Sequence, residues 1–331
     1  MRRRFFSNEA KRLYSNMNLS KVRGLFAGSG SDALNNPEVT QRVIELTNKP
    51  PTDCCLLYIG TATYDSMAAM EKQTVCFKNS GVSVVALECT LKTPSVNEIE
   101  ELTRKADIIL VSGGNTLYAY DRWMQLNLRP HLIEAANRGC VLTGGSAGAI
   151  CWFTAGHSDS MDPSSYRQDN IPKSTDSNQE EIFKSWKYIR VPCLNLFDGL
   201  VCPHYDKVQS NGILRALDFD EMMKRHSNER GICIDHWCSL IFPGDGTFEI
   251  FSPQDKLGSV TEDGDFSEDR KGVPGLWIKD VLDDDIVQTK LIGTNGTKGV
   301  IEELCRPPSN GTSVVEDSLL SKARALNPIA F

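Results

Sequence analysis

The sequence predicts an α/β fold in which a mostly parallel sheet is covered by helices on both faces. Two observations carry this expectation. From Val22 onward, short apolar runs alternate with amphipathic stretches of helical spacing. In addition, Gly-rich turns at Gly28, Gly113 and Gly144 each close an apolar run. In sheets of this kind, ligand sites lie beyond the carboxyl ends of the strands.

In chain order, Val22–Ala27 reads as a strand ending in Gly28-Ser29-Gly30, and Pro37–Asn48 has helical spacing at Val39, Val43, Ile44 and Leu46. Cys54–Gly60 is a continuous apolar strand, followed by a helical stretch over Ser66–Lys78, a strand over Val82–Leu87 and a helix over Val96–Arg104. Ile108–Val111 is a strand ending in Ser112-Gly113-Gly114-Asn115. Helices then cover Leu117–Met124 and Leu132–Asn137, and Val141–Thr143 runs into Gly144-Gly145-Ser146. Further on come a strand at Leu200–Cys202, a helix at Phe219–Arg225 and strands at Ile232–Ile234, Leu240–Phe242 and Phe248–Phe251. Gly275–Val281 and Ile286–Ile292 alternate around Asp283-Asp284-Asp285, which reads as a C-terminal hairpin. The division this implies is a flexible basic arm over 1–20, a catalytic domain over 21–293 and a C-terminal tail over 294–331 that is polar and loose beyond Arg306-Pro307-Pro308. Two polar insertions interrupt the domain, 158–181, which reads as a lid or a surface loop, and 252–272.

Composition narrows the function classes. The 331 residues suffice for one large α/β domain with insertions or two modest ones. A formal net charge of −7 disfavours nucleic acid and anionic membranes as partners, since phosphate binding needs a basic face. No apolar run approaches the roughly 20 residues that span a bilayer. The eleven cysteines form no CxxC pair and no zinc-like spacing with histidine. Cys54, Cys55, Cys140, Cys202 and Cys233 lie in apolar runs and read as reduced core thiols, so a cytoplasmic location is expected. The segment Met1-Arg2-Arg3-Arg4-Phe5-Phe6, with Lys11 and Arg12, is too poor in apolar residues for a secretory signal. A mitochondrial transit peptide, with Met17 as an internal start, is the second reading.

The sharpest motif is Gly144-Gly145-Ser146-Ala147-Gly148, a G-x-S-x-G between a strand and the helix-capable stretch Ala147–Trp152. This strand-turn-helix context gives the motif its meaning as a nucleophile elbow. The tight turn leaves the serine hydroxyl exposed, and the helix N-terminus offers free N–H groups to a developing negative charge. Ser112-Gly113-Gly114-Asn115-Thr116 ends a neighbouring strand and supplies a second loop, so the amides of Gly114 and Ala147 are candidates for an oxyanion hole. Among five histidines, His204 follows the strand Leu200–Cys202 directly and is the leading candidate base. His131 and His226 fall on expected helix surfaces, while His157 and His236 stay in contention.

Taken together, Gly113-Gly114-Asn115-Thr116, Gly144 to Ala149, Asp159 and Pro203-His204-Tyr205 occur in an order that resembles the peptidase E family of aspartyl dipeptidases, whose relatives include cyanophycinases. Cys151-Trp152-Phe153 with Gly156-His157-Ser158-Asp159-Ser160-Met161 is similar to the longer bacterial-type branch of that family, and the resemblance runs from Lys21 to Ile292. It implies a three-layer α/β/α domain like that of class I glutamine amidotransferases, with Ser in place of Cys at the elbow. It also implies cleavage of peptides with N-terminal aspartate, needing no cofactor and no metal. Ser146 is then the nucleophile, His204 the base, and Gly114 with Ala147 the oxyanion hole.

The third triad member departs from the family, which places a Glu in a Pro-Glu or Asp-Glu pair after a strand. Here the matching stretch is Gly231-Ile232-Cys233-Ile234-Asp235-His236-Trp237, so His236 stands where the Glu is expected. Three candidates remain open: His236 as a neutral acceptor, Asp235 after a one-residue shift, and Asp159, which matches an aspartate tied to activity in the family. For recognition of an aspartate side chain, Arg215 is the candidate cation, since relatives carry a carboxylate-binding arginine in this region and a guanidinium fork suits a carboxylate. Asn115, Thr116 and Tyr205 are candidate contacts to the substrate amine or backbone.

The expected partner is therefore a small peptide, with homo-oligomer formation left open. The rival functions are hydrolysis of cyanophycin-like or other small amides, and a catalytically weak homologue that binds acidic peptides.

Overall fold

A computed structural model describes residues 19–171, 181, 184–282, 286–308 and 317–329. Its strands fall into two hydrogen-bonded sheets. The first runs β14 (Lys298–Val300), β11 (Thr247–Phe251), β10 (Ser239–Pro243), β1 (Arg23–Ala27), β5 (Val141–Gly145), β4 (Ile108–Val111), β2 (Cys55–Ile59) and β3 (Ser83–Ala86). Its stretch from β1 to β3 is parallel throughout, and β10, β11 and β14 extend it antiparallel. The second runs β13 (Val287–Thr294), β12 (Gly275–Val281), β9 (Gly231–Ile234), β8 (Phe197–Cys202), β6 (Phe153–Ser158) and β7 (Ile189–Pro192), with β6, β8 and β9 parallel.

The alternation of side chains along the parallel strands sends apolar residues to both faces of the first sheet. Leu25, Ala27, Leu56, Tyr58, Ile108 and Leu110 pack with Val39, Val43 and Phe77 of the helices Pro37–Glu45 and Met67–Asn79. Their neighbours Phe26, Leu57, Ile59, Ile109 and Val111 face the other way. There they join Ile99, Trp123 and Leu132 of the helices Val96–Lys105, Thr116–Gln125 and Arg129–Asn137, and residues of the second sheet. The expected α/β architecture is thus present. Four rings weld the two sheets: Phe26 and Phe242 from the first meet Phe153 and Phe197 from the second, edge-on or tilted, at centroid distances of 5.1–5.6 Å. Each such pair contributes about 0.5–1.5 kcal/mol beyond the area it buries.

Three expectations need correction. The tail beyond Arg306 is not loose throughout: Asp317–Leu326 is a helix that buries Leu320 and Ala323. Arg324 clamps Asp121 with two bonds of 2.6 and 2.7 Å, and Asn327 donates to the Tyr64 hydroxyl at 2.8 Å. Its polar composition belongs to its outer face. His226 does not lie on a helix surface, because the helix Arg215–Arg225 ends there and the chain turns it fully inside. Strands β6 and β7 are not among the expected elements; in β6 the polar His157 and Ser158 are fully buried, His157 between Asp218 and Arg215 and Ser158 against Thr116 and Ser160. The hairpin of β12 with β13 is formed. Its tip at 283–285, most of the arm 1–20, the stretch 172–180 of the first insertion and 309–316 of the tail lie outside the described residues. Among the described residues, no helix is long and apolar enough to cross a membrane.

Candidate active site

The central strands β1, β5 and β4 end side by side, and each continues into one of the Gly-rich turns. Ser146 leaves β5 with φ 56° and ψ −120°, its N–H donating to the Ala27 carbonyl at 3.1 Å, and the short helix Ala147–Ile150 begins at once. Backbone in this region favours glycine, and holding another residue there costs about 1–3 kcal/mol. The chain before it has no room for side chains: a Cβ on Gly145 would overlap the Ser29 carbonyl. The flanking turns reach the serine without crowding it: a Cβ on Gly30 or Gly113 would make ordinary contact with Ser146 Cβ, at 3.7 or 3.6 Å.

The second sheet brings the histidines. Strands β8 and β9 each end two residues before a histidine, β8 before His204 and β9 before His236. His204, at φ 49°, donates its N–H to the Gly28 carbonyl at 3.0 Å, which fastens the end of the second sheet to the turn after β1. Gly28 has to be glycine for that approach, because a Cβ there would run into the Asp235 carbonyl. The two imidazoles meet through their Nδ1 atoms at 2.8 Å. His236 Nε2 lies 3.2 Å from Asp32 Oδ2, and its backbone N–H donates to Asp206 Oδ1 at 2.7 Å. Arg270 in turn donates to Asp206 Oδ2 at 2.6 Å. Ser146, His204, Gly114 and Asp32 line one open cavity of about 320 Å³, with Gly30, Ser31, Thr63, Ala69, Gln73 and Gly113. Neither the Gly114 nor the Ala147 N–H donates to another group among the described residues. Among those residues, no three His, Cys, Asp or Glu side chains are placed to hold a metal ion.

Several residues singled out from the sequence lie elsewhere. Asp235 is fully buried and turned away from His204, accepting from Ser259 N–H and Gly275 N–H, both at 2.9 Å, and from the Ser259 hydroxyl. Adjacent residues of an extended chain face opposite sides, so only His236 of the pair can meet His204. Asp159 sits 3.3 Å from Arg215. The guanidinium is itself fully buried, donating to His157 Nδ1 at 3.2 Å and to the His157 carbonyl at 2.7 Å, over the Tyr188 ring. Arg215 therefore already holds a carboxylate. Asn115 caps the helix Thr116–Gln125 by accepting from Tyr118 N–H at 3.0 Å and donates to the Ser160 carbonyl at 3.2 Å. Thr116 accepts from the Ser158 hydroxyl, and Tyr205 packs edge-on against Phe266. All three are about 1 % exposed, which corrects the expectation that they reach substrate directly.

Sequence reasoning missed Asp32 and Asp206. Asp32 follows the Gly28-Ser29-Gly30 turn, already marked as a strand end, and that was its only signal. Asp206 lies two residues beyond His204, with nothing to show that it would hold His236.

Burial is the main cause of the electrostatics here. It pushes His204 well below the usual histidine value, helped by the positive charges of Arg215, Lys207 and Arg270. His236 is pushed down to about 4 by burial and Lys207, against the pull of Asp206 and Asp32. His157 is held at about 4, again by burial first, although Asp218 accepts from it at 2.8 Å. A depressed histidine stays neutral in the folded chain while the unfolded chain takes up a proton near pH 6.5. Stability is therefore full above that value and is lost as pH falls toward 4. His157 and His236, each held at about 4, should each withdraw about 2 kcal/mol between pH 6.5 and pH 5. Urea unfolding at pH 7, 6 and 5 should show this loss, and His157→Gln should flatten part of the slope; equal slopes for both proteins would refute it.

The model of peptidase family S51 matches residues 25–250. A protein of Trypanosoma brucei brucei named G2/mitotic-specific cyclin-1 is 28 % identical over 96 % of this chain and 97 % of its own length. An uncharacterized peptidase of Bacillus subtilis (strain 168), YgaJ, is 24 % identical over 71 % of this chain and 88 % of its own. Among solved structures, a peptidase from an acI-B1 actinobacterium superposes with a TM-score of 0.53 at 18 % identity, covering 85 % of this chain and 97 % of that one. A putative peptidase E protein from Listeria monocytogenes EGD-e gives 0.50 at 18 % identity, covering 70 % and 99 %.

Proposed function

Because the chain belongs to peptidase family S51, we propose that it hydrolyses short peptides through a serine acyl-enzyme, with Ser146 as nucleophile and His204 as its base. The observation that carries this reading is the meeting of the two sheet ends: the Gly28 carbonyl holds His204 at the cavity into which the strained Ser146 elbow opens. Ser146 Oγ attacks the scissile carbonyl while its proton passes to His204 Nε2. The oxyanion is received by the Gly114 and Ala147 N–H groups, where one donor is typically worth about 2.7–4 kcal/mol. Collapse of this intermediate expels the amine, which takes the proton from His204. Water, deprotonated by the same ring, then releases the acyl group. His236 backs His204 in the position of a third triad member.

The finer part of the reading is a preference for N-terminal aspartate, supported by the resemblance of the motifs to aspartyl dipeptidases. The cavity lining carries Asp32 and no lysine or arginine. An acidic side chain would thus draw on charge just beyond the lining, from Lys207, whose field acts on both imidazoles, or from the buried Arg215–Asp159 pair.

A panel of Asp-X, isoaspartyl and neutral dipeptides, with fluorophosphonate labelling in parallel, separates the parts. Asp-X turnover above the rest, with the label on Ser146, is expected. Turnover without preference for aspartate would remove the substrate assignment alone. No label at Ser146 and no peptide cleaved would remove the serine mechanism.

A further inference from the structure

We infer that Asp32 is a positioning residue that fixes the tautomers of two successive imidazoles, so that the lone pair of His204 is presented at Nε2 to Ser146. The inference rests on the serine mechanism above and adds a residue to it. It follows from donor and acceptor roles along one chain of contacts. A carboxylate can only accept, so at the 3.2 Å contact with Asp32 the donor is His236 Nε2–H. A neutral imidazole carrying its proton on Nε2 offers a lone pair at Nδ1. The 2.8 Å contact between the two Nδ1 atoms needs one donor and one acceptor, so His204 carries its proton on Nδ1. Its Nε2 is then unprotonated, which is the form a general base must have.

The surroundings keep both rings neutral and leave Asp32 to decide the tautomer. Burial lowers both histidines, and the cations Lys207, Arg270 and Arg215 act in the same direction. Asp206, the other nearby carboxylate, is engaged with the His236 backbone N–H and with Arg270, so it fixes the position of the residue and not the proton on the ring. Without Asp32, His236 could equally carry its proton on Nδ1 and donate to His204. His204 would then be protonated on Nε2 and unable to accept from Ser146. During attack the Ser146 proton arrives at His204 Nε2. The resulting imidazolium keeps its Nδ1–H bond to His236, and the negative charge of Asp32 lies at the far end of the relay.

Asp32 is about half exposed, so replacing it leaves the core intact. In Asp32→Asn the amide can accept or donate and no longer selects one tautomer. With the full chain, kcat on the best dipeptide of the panel should fall about 10–100-fold with KM within about threefold, a smaller loss than the roughly 10⁴ seen when a directly contacting orienter is neutralised. ¹⁵N-histidine NMR without substrate should show His204 protonated at Nδ1 in the wild type and mixed between the two nitrogens in the variant. Unchanged kcat with an unchanged His204 spectrum would overturn the inference. So would a raised KM at constant kcat, which would instead make Asp32 a contact for the substrate ammonium. If the wild type cleaves no peptide, the serine mechanism fails by itself, and the NMR arm still decides the role of Asp32.

Discussion

Replacing Ser146 by alanine should lower peptide turnover by about 10⁴–10⁶-fold, as loss of a nucleophile does in other serine hydrolases. Fluorophosphonate labelling should vanish with it. The backbone adds a second, less usual expectation. At φ 56° and ψ −120° the elbow lies where a Cβ is strained, and Ser146→Ala keeps that Cβ. Ser146→Gly removes it, relieving about 1–3 kcal/mol of strain against roughly 0.5–1 kcal/mol of added freedom in the unfolded chain. The glycine variant should therefore be inactive yet more stable than the alanine variant by about 1 kcal/mol, read from urea midpoints at constant slope. Activity retained in Ser146→Ala would mean that another group is the nucleophile. An alanine variant as stable as the glycine variant would mean that the elbow stores no strain.

That strain explains why the elbow was legible from sequence. Gly144, Gly145 and Gly148 mark backbone approaches that any side chain would block, so composition alone records the geometry. The parallel core was legible for a related reason: strands buried on both faces read as unbroken apolar runs, and for Ile108–Val111 the limits in the structure are the expected ones. What stayed hidden depends on contacts across the chain. Asp159, Arg215 and Asp235 carried chemistry by residue type, yet each is engaged inside the protein by a partner distant in sequence, Asp159 with Arg215 and Asp235 with Ser259. Ser259 comes from an insertion that looked like polar surface. Asp32 reaches His236 across 204 positions, and local pattern has no means of recording such a pairing. Strand β6 failed for the opposite reason, since a local pattern of glycine, histidine and serine suggests a loop until Arg215 and Asp218 satisfy His157.

The group behind His204 yields the second large effect. His236→Ala removes the only ring in contact with His204 Nδ1 among the described residues, and kcat should fall about 10³-fold with KM little changed. Asp235→Asn and Asp159→Asn should act differently. The first disturbs the bonds to Ser259 and Gly275, and the second leaves the buried Arg215 without its anion, so both should appear as lost stability. His236→Glu separates orientation from charge. A glutamate there can still accept from His204 Nδ1–H, which preserves the useful tautomer, but it also sets a negative charge against the ring. That charge raises the His204 pKa from its depressed value, so the acid limb of kcat/KM should move to higher pH while more activity survives than in His236→Ala. Were His236→Ala fully active and Asp159→Asn or Asp235→Asn inactive at unchanged stability, the orienting group would have to be sought among those carboxylates. The 2.8 Å contact of the imidazoles would then be packing alone.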